Sequence, residues 1–104
     1  MKKAVTIKEN YEFRRMYAKG RSAVTPFMVV YCRKNRLGHN RLGGAVVRNR
    51  ARRRLREAFR LAQPRMRQGY DVILVARSRS VDGSYRKLTE ALDRALGKLD
   101  LLAE

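Results

Sequence analysis

From Ala45 to Arg60 the chain reads AVVRNRARRRLREAFR, with arginine at 48, 50, 52, 53, 54, 56 and 60 and one carboxylate, Glu57. A guanidinium keeps its charge and offers a planar fork of donors that grips a phosphate through two oxygens at once. Arginine at this density therefore suits a polyanion. At 100° per residue, Val47, Ala51, Leu55, Ala58, Phe59 and Ala62 share a face that can be buried. Most of the remaining circumference is arginine, and Asn49, Arg52, Arg53, Arg56 and Arg60 form an outward ridge. A merely solvated face would pair its cations with acids one turn away. Here only Glu57 is available, to Arg53 or Arg54. The apolar stripe would hold the helix and phosphate would neutralise the ridge.

A second constellation is aromatic. Phe13 and Tyr17 fall on one helical face, and Tyr31, with Phe27, on one face of a strand. Core packing would use such residues too. The hydroxyls of Tyr17 and Tyr31 ask for wet or hydrogen-bonded surroundings, and aromatic rings beside cations stack unpaired bases. Arg14, Arg15, Lys19 and Arg21 supply the charge. The chain thus offers two surfaces for nucleic acid.

Enzymatic chemistry finds little footing. His39 is the one histidine and Cys32 the one cysteine, so no metal-ligand spacing exists. Asp71, Asp82, Glu57 and Glu90 form no pair by spacing. Gly43-Gly44 lacks a phosphate-loop pattern. Cys32 sits in an apolar run and reads as a small core residue in a reducing cytoplasm. No apolar segment follows the first lysines, so no signal peptide is expected, and no stretch reaches membrane-spanning length.

The formal net charge is +17, which self-repels unless a polyanion offsets it. Nucleic acid is the first candidate and an anionic membrane surface the second, but the apolar face of the arginine helix is narrow for an interfacial helix. A helix-turn-helix is disfavoured because no helix precedes the arginine helix across a short turn. No stable protein partner is expected.

The elements that must carry these residues follow from periodicity. A first helix is predicted over 6–20, with Thr6 and Glu9 at capping-box spacing and Gly20 ending it in a left-handed conformation. A strand follows over 25–33, then a loop over 34–44 that holds Asn-Arg-Leu-Gly twice. The arginine helix runs from about Val46 to Gln63 and stops before Pro64. GYDVILVAR (69–77) is apolar enough for a central strand. After a loop over 78–84, Ser84 caps a last helix whose inner face is Tyr85, Leu88, Ala91, Leu92, Ala95 and Leu96. Residues 1–104 make one α/β sandwich, in which the arginine helix joins parallel strands. General chirality makes that crossover right-handed.

The stretch AVVRNRARRRLREAF resembles the signature of the bacterial ribonuclease P protein family, roughly Ala-Val-x-Arg-Asn-Arg-x-(Lys/Arg)-Arg-x-x-Arg-Glu. Arg48, Asn49, Arg50, Arg52, Arg53 and Arg56 match it position by position. YEFRRMYAKGRS, VVYCRKNRLG and GYDVILVAR resemble family segments in the same order. The resemblance implies a two-layer α+β sandwich, ordered α-β-β-β-α-β-α, with a left-handed βαβ crossover. It implies a ribonucleoprotein endonuclease that matures tRNA 5′ ends, with catalysis and magnesium in the RNA subunit and no metal held by the protein. Arg48, Asn49, Arg50, Arg52, Arg53, Arg56 and Arg60 would contact that RNA. Phe13, Tyr17, Tyr31 and Phe27 would line a cleft for the 5′ leader of precursor tRNA. One departure stands out: HNRLG runs straight into GAVVRNR, about eight residues short of the family pattern. A sheet strand near 42–45 is therefore expected to be missing, with a basic cleft wall. The competing reading is a general RNA- or DNA-binding protein, ribosomal or architectural, which would not stimulate precursor-tRNA cleavage.

Overall fold

The computed structural model describes residues 5–6, 17–45, 49–77 and 84–103, with the backbone alone at 5–6, 44–45 and 49–50. Five strands form one sheet: β1 (Val5–Thr6), β2 (Arg21–Val24), β3 (Met28–Lys34), β4 (Arg41–Ala45) and β5 (Tyr70–Ala76), in the order β1-β4-β5-β3-β2. Helix α1 (Asn49–Ala62) connects β4 to β5, which lie side by side and parallel. Helix α2 (Tyr85–Lys98) follows β5. β2 and β5 each run antiparallel to β3.

Alternation divides the sheet into two faces. Ala23, Met28, Val30, Cys32, Leu42, Val72 and Leu74 pack under both helices. Helix α1 contributes Leu55, Ala58, Phe59 and Ala62 to this core, and α2 contributes Leu88, Ala91, Leu92, Ala95 and Leu96. Ala51 is buried as well, so the expected stripe of α1 is the buried one; Val47 lies outside the described residues. Cys32 is wholly buried, and burial raises its thiol pKa, with Arg21 acting in the opposite direction. On the other face Ile73, itself fully buried, packs with Tyr31 and Val75.

β5 takes the central place that its apolar run predicts. Pro64 ends α1 as expected, and Gln63–Arg65 forms a 3-10 turn. Ser84 caps α2 by accepting a hydrogen bond from the Lys87 N–H. Residues 17–19 are helical; 7–16 lie outside the described residues. Thr6, expected to cap that first helix, stands in β1 beside Leu42.

Three expectations are corrected. The 34–44 loop contains a strand, and no strand is missing near 42–45. Arg41, Leu42, Gly43, Gly44 and Ala45 pair with Asp71 through Val75 in unbroken register. Backbone groups inside a sheet must be paired, and this outweighs the poor strand propensity of two glycines. Gly20 lies in a bend, and the described glycines with positive φ are Gly38 (77°) and Gly69 (95°). The third concerns β2, a strand that periodicity does not disclose, although the resemblance implies three strands before the arginine helix. It is short, and only one of its four residues, Ala23, is buried.

The two Asn-Arg-Leu-Gly copies do different work. In the first, Asn35 Oδ1 accepts from the Leu37 N–H and Nδ2 donates to the His39 carbonyl, closing the turn that follows β3. In the second, Asn40 is buried. Its Nδ2 donates to Gln63 Oε1 and the Arg67 carbonyl, and its Oδ1 accepts from the Tyr70 N–H. Asn40 thereby ties the β3–β4 turn to the end of α1 and the start of β5.

Candidate nucleic-acid interface

The arginine helix is amphipathic as its sequence requires. With Ala51, Leu55, Ala58 and Phe59 turned into the core, Arg52, Arg53 and Arg56 are exposed on the outside. Arg60 belongs to the same side but is half-occupied by an acid. Glu57 accepts from Arg60 Nε at 2.7 Å and Nη2 at 2.8 Å. Glu57 therefore pairs with Arg60, three residues on, rather than with Arg53 or Arg54. An acid N-terminal to its cation is the favoured order on a helix. The hydrogen bond from Arg60 holds the Glu57 carboxyl below its ordinary pKa. Arg54 lies on the flank, its guanidinium 5.9 Å from the centroid of the Tyr85 ring. Arg48 and the side chains of Asn49 and Arg50 lie outside the described residues.

The second sheet face is banded by the register of β3, β5 and β4. Arg33, Asp71 and Arg41 form one row, and Tyr31, Ile73 and Gly43 the next. In the charged row Arg41 grips Asp71 with Nε to Oδ1 at 2.8 Å and Nη2 to Oδ2 at 2.6 Å, while Asn35 Nδ2 donates to Oδ1 at 2.9 Å. Burial raises the Asp71 carboxyl pKa. The hydrogen bonds from Arg41 and Asn35, with the charges of Arg41 and Arg33, outweigh burial and leave it below its ordinary value.

Above this row Tyr17 meets Tyr31 edge to face, with centroids 4.9 Å apart and planes at 83°. Tyr17 is well exposed. Burial first, and then Tyr31, raise the Tyr17 pKa. The structure thus brings Tyr17 and Tyr31, which the sequence places on separate elements, into contact. Phe13 lies outside the described residues. Phe27 does not join them: it is 7% exposed and packs in the core under the helices. The cause is the β2–β3 turn. Thr25 Oγ1 accepts from the N–H groups of Phe27 and Met28 and donates to the Met28 carbonyl, so strand alternation begins only at Met28. Sequence reasoning missed the Arg33–Asp71–Arg41 row. The alternation that places Tyr31 also places Arg33, two residues on, so half of that row was legible.

Among the described residues no group of three or more His, Cys, Asp or Glu could hold a metal ion. Asp71, the most enclosed carboxylate of this face, has its oxygens engaged by Arg41 and Asn35, so this donor set does not fit a protein-bound magnesium. His39 is exposed in the β3–β4 turn. No helix among the described residues is long and apolar enough to cross a membrane.

An exposed arginine ridge on one helix, with paired tyrosines and a charged row on a sheet, defines a basic α+β protein built to meet nucleic acid. Known proteins narrow that class. A family model described as Ribonuclease P matches residues 1–100. The ribonuclease P protein component of Natranaerobius thermophilus is 41% identical, with 98% of this chain and 96% of the relative covered. That of a Thermoanaerobacter strain is 38% identical, covering 98% and 95%. Among solved structures, the Staphylococcus aureus RNase P protein superposes with a TM-score of 0.81 at 30% identity, over 96% of this chain and 99% of that one. The Thermotoga maritima RNase P protein gives 0.75 at 25% identity, covering 86% and 92%. The chain belongs to the ribonuclease P protein family, the protein component of the ribonucleoprotein that processes tRNA 5′ ends. The Thermoanaerobacter alignment extends over 110 positions against 104 residues here, so the relative carries residues that this chain lacks.

Proposed function

We propose that the chain binds the catalytic RNA of ribonuclease P through α1 and the 5′ leader of precursor tRNA across the second sheet face. The observation that carries this reading is the exposure of Arg52, Arg53 and Arg56 on a helix whose opposite stripe is buried. Three guanidinium forks on one side of a rigid helix suit consecutive phosphates of a folded RNA. Arg48, Asn49 and Arg50 extend this contact on the strength of the family motif, and Arg60 extends it by its place on the same ridge. Tyr17 and Tyr31 offer ring surface for an unpaired leader base, and Arg33 offers charge for its phosphates. Phe27 is left out of the leader site because it is buried.

Catalysis and its magnesium belong, on this reading, to the RNA partner, and the protein contributes binding and orientation. The assembly works in the cytoplasm. The test is precursor-tRNA cleavage by a bacterial ribonuclease P RNA at low magnesium, with and without this chain. Strong stimulation is expected. Tight RNA binding without stimulation would favour a general basic RNA-binding protein.

A further inference from the structure

Tyr85 is the first residue of α2, and its place on a core face is what helical periodicity predicts. The structure sets it apart from Leu88, Ala91, Leu92, Ala95 and Leu96, which are at most 1% exposed; Tyr85 is 36% exposed. Ser84 and its capping hydrogen bond fix the start of the helix and hence the root of the ring. The ring lies against α1, where the Arg54 guanidinium stands over it. Glu57, Arg60 and Arg54 are close enough to act on its hydroxyl. Arg86 and Lys87, both exposed, follow it on α2. An exposed aromatic ring thus stands beside Arg54 on the flank of the arginine ridge, at the start of a helix whose next two residues are basic. Its root is held by a capped helix end and one ring face by a cation.

We infer that Tyr85, steadied by Arg54, is a stacking platform for an unpaired nucleobase of the RNA whose phosphates the α1 ridge binds. This rests on the proposed RNA-binding role of α1. A base lost from a helix needs an apolar π-face to replace its stacking neighbours, and every base can use one whatever its sequence. Phosphates next to that base find the arginine ridge of α1 alongside. An aromatic serving only the core would be covered, and a purely electrostatic surface has no use for a fixed ring on its flank.

Stacking and phosphate contact separate by their response to salt, because only the latter releases counterions. The experiment titrates full-length protein with bacterial ribonuclease P RNA over a range of salt. Tyr85→Leu should weaken binding about 5- to 150-fold, the loss expected for one base–aromatic stack, with the salt slope unchanged. Tyr85→Phe should bind like the parent. The parent chain has no tryptophan, so Tyr85→Trp adds a single reporter whose fluorescence should be quenched as RNA binds. Thermal melts confirm that each variant is folded, and the Tyr85→Trp titration stands if Tyr85→Leu is not. Unchanged affinity in Tyr85→Leu, equal weakening in Tyr85→Phe, or an unquenched tryptophan would overturn the inference. An Arg52→Ala, Arg53→Ala double variant run alongside keeps the two readings apart. If it too binds normally, the role of α1 has failed; if it weakens while Tyr85→Leu does not, only the platform has.

Discussion

At the scale of single residues, the second sheet face poses two separable questions, one of recognition and one of stability. Tyr31 stands in the middle of the face and Tyr17 leans on its ring. If a leader base stacks there, Tyr31→Ala should cost about 1–3 kcal/mol of affinity for precursor tRNA by the assembled enzyme. Affinity for mature tRNA, which has no leader, should stay put. Equal losses for both would place the defect in folding or in RNA-subunit binding. Asp71 answers the stability question. It is enclosed, gripped by Arg41 at two points and by Asn35 at a third. Its folded pKa is depressed relative to the unfolded chain, so its ionised form stabilises the fold above the unfolded value, near 3.9. That stability is lost as pH falls through the folded value. Asp71→Asn should therefore lower stability by about 1–3 kcal/mol at pH 7, since half-buried donors lose a charged acceptor. In urea denaturation the gap between parent and variant should close on acidification below the ordinary carboxylate range. A gap that persists at acid pH would mean that shape rather than charge is at stake.

Elements show how two weak spots of sequence are made firm. β4 contains two adjacent glycines, yet the parallel pairing to β5 runs its whole length and the short pairing to β1 adds partners at Arg41 and Leu42. Helix α2 ends without the usual glycine. Asp100 takes the left-handed conformation, with φ of 58°, while its N–H donates to the Gly97 carbonyl and the Leu101 N–H to that of Leu96. This is the closure a glycine normally provides, with Leu96 and Leu101 both fully buried beneath it. The exposed Arg67–Asp100 contact at 3.6 Å returns little, because surface ion pairs are screened. Asp100→Gly should then raise stability, by up to about 1 kcal/mol, through relief of the Cβ clash. A higher urea midpoint at an unchanged slope would show it. A lower midpoint would mean the ion pair outweighs the strain. These details also mark what sequence could disclose. The buried stripes of α1 and α2, the central β5 and the Ser84 cap were legible because each depends on local periodicity or a local hydrogen bond. β4 was not, because its partners lie about thirty residues away and its own residues argue for a loop. Phe27 misled for a similar reason: the Thr25 turn decides its direction, and alternation carried one residue too far hides that turn. Half of the site was readable on the same grounds. The ridge follows from 100° spacing, whereas the pairing of Arg60 with Glu57 and the Arg54–Tyr85 contact depend on which rotamers the packed helices permit.

For the whole molecule the governing quantity is a net charge of +17 on 104 residues. Such a field attracts any polyanion, so weak binding to RNA would not by itself show that α1 is an interface. The dependence on salt separates a diffuse field from direct contact. Each phosphate neutralised on a duplex contributes about 0.9 to the slope of log affinity against log salt. Replacing Arg52 and Arg53 by alanine takes the net charge only from +17 to +15. A diffuse field would barely register that change. Two direct contacts would lower the slope by nearly two and weaken binding most at low salt, where counterion release is worth most. Lys34 and Arg36, exposed at the far end of β3 and in its turn, provide the matched control, since their joint replacement removes the same charge away from the ridge. The expected result is a flattened slope for the helix pair and a near-parental slope for the turn pair, measured with ribonuclease P RNA from about 0.05 to 0.3 M salt. Equal slopes for the two double variants would reduce the arginine helix to one contributor among many in a uniformly basic surface.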